Sequence, residues 1–176
     1  MIELEDVPEL DNPIMIAAFE GWNDAGDAAT AVVEHLSELW GAEAVAALDP
    51  EDYYDFQVNR PRVVIDGGKR RISWRTTRIL IATDTPIGRD VVLIHGVEPS
   101  FRWRAFAIEL MEFAQTADVQ LVLTLGALMA DVAHSRPIPV TVSSDQEEVR
   151  HRPLPVRPRL APPVGERLVH VASELL

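Results

Sequence analysis

Nine side chains that could bind a ligand or move protons follow the predicted ends of three strands. In an open α/β sheet, ligands gather beyond the carboxyl ends of the strands, so these residues are expected to share one edge, here called the polar rim. Glu20 or Asp24 would act there as a base or a metal ligand, and His95 or His134 as a general acid or base. Arg136 would hold an anion. The predicted polar rim consists of Glu20, Trp22, Asn23, Asp24, His95, Glu98, Asp131, His134 and Arg136.

Glycines at the first strand-to-helix turn suggest a phosphate site. Gly21 and Gly26 lie where backbone N–H groups could bind an anion. However, Glu20, Asp24 and Asp27 place three carboxylates at the same turn without a nearby Lys or Arg. Neither the G-x-G-x-x-G nor the G-x-x-x-x-G-K-[ST] pattern occurs. We therefore expect no nucleotide cofactor, and we expect Asp24 to cap the following helix.

Hydrolase and metal chemistry receive little support from the motifs. The chain has no cysteine and no G-x-S-x-G elbow, and Ser135 directly follows His134, which is a poor geometry for a nucleophile and its base. A metal site would join His95 and Glu98, with His134 or Asp131 as a third ligand. Without an H-E-x-x-H pattern, a lone His at a strand end is more often a hydrogen-bonded core residue. No metal site is predicted.

Strands and helices that alternate along the chain must position this rim. The turn Asp66-Gly67-Gly68-Lys69 is typical of a β-hairpin, and Gly41 lies where a helix C-cap belongs. The alternation predicts one α/β domain with helices on both faces of a sheet that is parallel at its centre. Strands are predicted at 13–19, 44–48, 63–65, 72–74, 78–83, 90–95 and 119–125. Helices are predicted at 24–40, from 99 or 100 to about 117, and at 165–176, and a short helical turn opens at 49–52.

Charge is distributed unevenly over the 176 residues, whose formal net charge is −12. Fifteen Asp or Glu and no Lys or Arg occur in residues 1–55, whereas residues 60–78 hold six Arg and Lys69 against Asp66. Such an acidic chain is a poor binder of nucleic acid. The basic stretch is either a local docking patch or, as we prefer, a solvated hairpin edge that resists aggregation.

The chain carries no signal for a membrane or for export. No apolar run reaches the ~18 residues that cross a bilayer. The first residues are acidic and lack the basic start and apolar core of a secretion signal. Together with the absence of cysteine, this predicts a cytoplasmic protein.

The last part of the chain differs in composition from the rest. Residues 137–163 hold seven prolines in 27 positions, which is typical of extended, polyproline-like chain. Only 165–176 again shows a helical pattern.

Six stretches, in order, resemble the bacterial branch of the proteasome assembly chaperone 2 (PAC2) family. Together they cover about residues 1–142, so the resemblance is far more specific than any single motif. They are FEGWNDAGDAAT at 19–30, DPEDYYDF at 49–56, NRP at 59–61, GVEP at 96–99, LGAL at 125–128 and ADVAHSRPIPV at 130–140.

The resemblance implies a three-layer α/β sandwich with a mostly parallel central sheet, like that of phosphorylases and peptidyl hydrolases. It also implies oligomers, and a chaperone role, because the eukaryotic members pair proteasome α-subunits. Some members are described as carboxylate–amine ligases, which a chain with one lysine and no phosphate loop supports poorly.

The resemblance predicts a domain at 1–142 and a Pro/Arg-rich tail at 143–176 with a short terminal helix. This tail does not resemble the family's continuation, and it is either a frameshifted end or a genuine short variant. We expect it to pack poorly and to leave the sheet incomplete at one edge or face, open to a partner.

The sequence therefore predicts a non-enzymatic assembly or interaction protein. It would be a homo-oligomer with protein partners, proteasome subunits among them, and without a cofactor, nucleic acid or membrane. Trp22, Phe101, Trp103 and Arg60 are candidate contacts, since exposed aromatics mark interfaces, although the aromatics would serve equally to close the edge of the core. The alternative is an enzyme or small-ligand-binding protein, ligase- or hydrolase-like, that uses the polar rim.

Overall fold

A computed structural model of the chain describes residues 7–129, 131, 135–136, 140–144 and 167–173. Its three α-helices are α1 (Ala28–Trp40), α2 (Pro50–Tyr53) and α3 (Trp103–Thr116), and a 3-10 turn (Ala25–Asp27) precedes α1. The strands in the described residues are β1 (Ile14–Glu20), β2 (Glu43–Ala47), β3 (Arg62–Asp66), β4 (Lys69–Ser73), β5 (Arg78–Ala82), β6 (Val91–Val97), β7 (Leu121–Met129), β8 (Val140–Ser144) and β9 (Arg167–Ser173).

Strand β1 lies at the centre of the main sheet, whose described strands run in the order β2-β5-β6-β1-β7-β9-β8. It is parallel to both neighbours, with Ile14 opposite Val91 of β6 and Leu121 of β7. The predicted parallel centre is therefore confirmed. Farther out the sheet is mixed, because β2–β5, β5–β6 and β7–β9 are antiparallel and β8–β9 is parallel.

Helices cover both faces of this sheet, which confirms the predicted three layers. Alternate residues of β1 point to opposite faces, as they must in a strand. Ile14, Ile16 and Ala18 belong to the core on the α1 side, and Met15 and Ala17 to the core on the α3 side. The helices contribute Ala29 and Val33 to the first core, and Phe106, Leu110, Phe113 and Ala114 to the second.

Helices α1 and α3 each begin a few residues later than the sequence predicts. Helix α1 ends as expected at Gly41, whose φ of +62° suits glycine and whose N–H donates to the Glu38 carbonyl. Helix α3 begins at Trp103, three or four residues later than predicted, because Ser100 is held in a loop. The Ser100 N–H donates to the Tyr53 carbonyl at 2.8 Å.

Strands β3 and β4 form the predicted hairpin as a separate two-stranded sheet. Val63 is paired with Ile72 and Asp66 with Lys69. The turn between the strands contains Gly67 and Gly68, both at positive φ. All residues of β3 are exposed, so this hairpin projects from the body of the domain.

The predicted terminal helix is wrong where the structure describes the chain. Arg167–Ser173 is strand β9, which pairs antiparallel with β7 and parallel with β8. The apolar residues at 168, 169, 171 and 172 fit the spacing of a helix or of a strand. The segment is a strand because its backbone groups pair with those of β7, which would otherwise lack partners on that side. The predicted domain boundary at 142 lies inside β8. The stretches 145–166 and 174–176 lie outside the described residues.

No helix in the described parts of the chain is long and apolar enough to cross a bilayer.

Candidate functional site

The turn after β1 is held together by the buried carboxylate of Asp24. This carboxylate accepts hydrogen bonds from the Ala29 N–H at 2.6 Å, the Thr30 N–H at 3.3 Å and the Thr30 hydroxyl. Asp24 therefore caps α1 from across the 3-10 turn, as its predicted capping role requires, although α1 begins four residues later. Asp27, which directly precedes the helix, makes no side-chain cap.

Two glycines let neighbouring side chains close over this turn. A Cβ on Gly21, at φ +146°, would lie 2.7 Å from Oε2 of Glu98, and one on Gly126 would lie 2.5 Å from Nδ2 of Asn23. The backbone continues the sheet here, because the Ala127 N–H donates to the Asn23 carbonyl at 2.8 Å. The turn thus packs against Glu98, directly after β6, and against Gly126 and Ala127 in the second half of β7.

Trp22 lies on this turn, and 86% of its surface is exposed. Its neighbours on both sides are held by the contacts just described, so the indole projects from a backbone of defined shape. An exposed tryptophan in such a position is available to another molecule.

A second part of the predicted rim lines a polar cleft of about 510 Å³. Glu20 forms an ion pair with Arg75, and His95 Nε2 lies 3.6 Å from Glu34 Oε1. Nε2 of His95 is enclosed, and no hydrogen-bond partner for it occurs in the part of the chain that the structure describes. The residues that line this polar cleft are Glu20, Asp27, Thr30, Glu34, Arg62, Arg75 and His95.

The structure therefore divides the predicted rim into two groups. Glu20 and His95 line the polar cleft, whereas Trp22, Asn23, Asp24 and Glu98 belong to the turn. The sequence reasoning missed Arg75 and Glu34, because each reaches its partner across the tertiary fold and no local motif marks the pairing.

Three rim residues come from the segment after β7. Asp131 and Arg136 are exposed, and His134 lies outside the described residues. Among the residues that are described, no three His, Asp or Glu side chains are grouped closely enough to hold a metal ion.

Residues 49–56, one of the six stretches identified in the sequence, contact the loop that leads from β6 to α3. Asp49 caps α2 by accepting from the Glu51 N–H at 2.9 Å. The Tyr53 hydroxyl donates to the Glu109 carboxylate. The Tyr54 hydroxyl lies 2.7 Å from the Thr77 hydroxyl and donates to the Val97 carbonyl at 3.0 Å. These contacts position the residues that follow β6.

Gly96 in β6 is required by the same close packing. A Cβ at this position would lie 2.4 Å from the Cα of Thr77, which belongs to backbone and cannot rotate away. The 96–99 stretch therefore begins with a glycine for a steric reason.

The family model of the PAC2 family matches residues 18–173 of this chain. The chain belongs to the PAC2 family.

Solved structures agree with this assignment. A PAC2 family protein from Streptomyces avermitilis MA is 46% identical, with a TM-score of 0.76 over 92% of this chain and 74% of that one. A proteasome-assembly chaperone homologue from Mycobacterium tuberculosis is 38% identical, with a TM-score of 0.73 over 91% of this chain and 74% of that one.

A Corynebacterium glutamicum protein of unknown function shares the fold, with 20% identity and a TM-score of 0.72 over 98% of this chain and 71% of that one. No curated protein matches the chain.

Replacing Asp24 with Asn is expected to lower the free energy of unfolding by about 2 kcal/mol, because hydrogen bonds to a charged group are lost and an amide N–H₂ meets backbone N–H donors. Asp27→Asn removes a carboxylate from the same helix start, but one that makes no cap, and should cost less than about 0.5 kcal/mol. Urea unfolding of both variants measures the difference. Equal losses would contradict the capping role.

Both tyrosines of the chain should resist ionisation while it is folded. Burial, followed by the hydrogen bond to Glu109, raises the pKa of Tyr53 from 10.0 to about 12, and burial also raises the pKa of Tyr54. The neutral tyrosine is favoured in the folded state. The stability that Tyr53 contributes is therefore complete below pH 10 and is lost as the pH rises from 10 through about 12.

Tyrosinate absorbance measures this directly. We expect little tyrosinate in the native protein just above pH 10, and a large signal at the same pH in concentrated urea. Matching titration curves for the native and unfolded chains would show that neither hydroxyl is buried.

Proposed function

We propose that this chain is a non-enzymatic assembly or interaction protein that acts as a chaperone for proteasome α-subunits. We further propose that it works in the cytoplasm and as a homo-oligomer. The relative from Mycobacterium tuberculosis, described as a proteasome-assembly chaperone homologue and 38% identical, supports the class of function.

Trp22 is the observation that carries the proposal. Large exposed apolar side chains are common at protein interfaces, and tryptophan is enriched among residues that dominate binding energy. Because Asp24 and the contacts at Gly21 and Gly126 already order the backbone around it, little further ordering accompanies binding. The turn therefore presents Trp22 as an anchor for a protein partner.

The contacts of the rim carboxylates also favour a non-enzymatic role. The Asp24 carboxylate is occupied by three hydrogen bonds from the start of α1. Glu20, the other candidate base, is ion-paired with Arg75. A general base needs an accessible lone pair aimed at a substrate proton, and both groups are instead directed at other parts of the fold.

Replacing Trp22 with Ala should weaken capture of purified proteasome α-subunits about thirtyfold or more, because truncating an anchor tryptophan typically costs about 2 kcal/mol or more. The matched control is Ile87→Ala. Ile87 is 51% exposed and lies in the β5–β6 connection, at the opposite end of the parallel strands. Surface-bound chain titrated with α-subunits measures both affinities. Equal affinities for the two variants, or no binding by the unmodified chain, would contradict the proposal.

The polar cleft favours a second candidate function, a small-ligand-binding protein. A cleft of about 510 Å³ that encloses His95 Nε2 without a hydrogen bond could take a ligand that supplies one. This function predicts that some metabolite raises the thermal unfolding temperature of the unmodified chain and that His95→Phe abolishes the effect. The Glu112→Gln variant, altered on an exposed part of α3, should keep it. If a broad metabolite library leaves the unfolding temperature unchanged, the second candidate is wrong.

A further inference from the structure

The hairpin β3–β4 presents an apolar face that nothing in the described chain covers. Val63 and Ile72 are directly opposite each other, and Ile65 lies two residues from Val63, so the three side chains share one face. They are 69%, 63% and 78% exposed, respectively. A two-stranded hairpin is only marginally stable by itself in water, so contact with another surface would stabilise it.

The hairpin is also positively charged. Its two strands and turn hold Arg62, Lys69, Arg70 and Arg71 against the single carboxylate of Asp66. Arg70 is paired with Ile65 and therefore shares the apolar face. Arg62, Lys69 and Arg71 alternate onto the other face, where Arg71 and Asp66 form an exposed ion pair 3.2 Å long. A complementary surface would be apolar and acidic.

The outer face of α1 has that chemistry. Val32 and Leu39 are exposed and are seven residues apart, which puts them on one side of the helix with the exposed His35 between them. Glu38 flanks this stripe, and Glu43 begins the exposed edge strand β2 that follows. Residues 7–55 contain no Lys or Arg, so no cation of this region opposes the carboxylates.

Within the described part of one copy, these two apolar surfaces do not cover each other. The apolar side chains of the hairpin, and Val32 and Leu39 on α1, all remain exposed within one chain. Two copies can satisfy both surfaces at once, since each copy brings one basic apolar hairpin and one acidic apolar helix.

We infer that the β3–β4 hairpin of one copy docks on the outer face of α1 in a second copy. Apolar contact provides the attraction, and the opposite charges set the orientation. This inference rests on the homo-oligomer in the proposed function and names the surfaces that form it.

The test is a charge exchange between the two surfaces. Sedimentation equilibrium of the full chain should show an oligomer. Arg70→Glu with Arg71→Glu should raise its dissociation constant at least about tenfold, and so should Glu38→Lys with Glu43→Lys. Mixing the two variant chains should restore association, because each supplies the charge that the other now needs. Raised salt should weaken the unmodified oligomer.

Controls separate this contact from a general charge effect. Glu112→Lys changes an exposed carboxylate on α3, on the opposite face of the sheet, and should neither dissociate the oligomer nor rescue the arginine variant. Ile65→Ser should weaken association without a change in charge. Thermal unfolding of each variant verifies that the domain remains folded.

Three results would overturn the inference. These are an unmodified chain that is monomeric at all concentrations, an Arg70→Glu, Arg71→Glu chain that still sediments as the full oligomer, and a mixture of the two variants that stays dissociated. Partner binding is read separately. If the Arg70→Glu, Arg71→Glu chain still captures proteasome α-subunits through Trp22, loss of the oligomer contradicts nothing in the chaperone proposal.

Discussion

The structure depends on one buried carboxylate, that of Asp24, where the central strand turns into α1. Three donors at the start of the helix converge on it, so the first strand, the turn and the helix have a fixed mutual orientation. The neighbouring parallel strands are then joined to the same turn through Asn23 and Glu98, which close over Gly126 and Gly21. Because the capping group is charged and buried, its satisfied hydrogen bonds are essential to the turn.

This constraint also determines which residues face outward. With Asp24 directed inward and Asn23 held against β7, Trp22 is the large side chain that remains exposed on the turn. This turn, although rich in carboxylates, thus presents an exposed aromatic side chain. The chemically suggestive groups Glu20 and His95 lie apart from it, in the polar cleft with Arg75 and Glu34.

Acidic and basic residues are separated along the chain, and in the folded structure they lie on different surfaces. The acidic first third of the chain supplies the central strand, α1 and the edge strand β2, whereas the cations between 60 and 78 are concentrated on and beside a hairpin that projects from the domain. Charges of opposite sign on separate exposed surfaces favour contacts between molecules, especially where apolar side chains accompany them. The main sheet, in contrast, is held by apolar packing on both faces.

Local pattern alone determined the order of strands and helices up to β7, the hairpin turn and the caps at Asp24 and Gly41, since these depend on residues close together in the chain. The parallel centre joins distant strands, and it was indicated by the alternation of strands and helices. Tertiary structure decided the rest. Arg75 meets Glu20 across 55 positions, and Gly96 is required by the backbone of Thr77, so no local window contains either signal. The segment Arg167–Ser173 has apolar positions that fit a helix or a strand, and it is a strand because β7 offers it unpaired backbone groups.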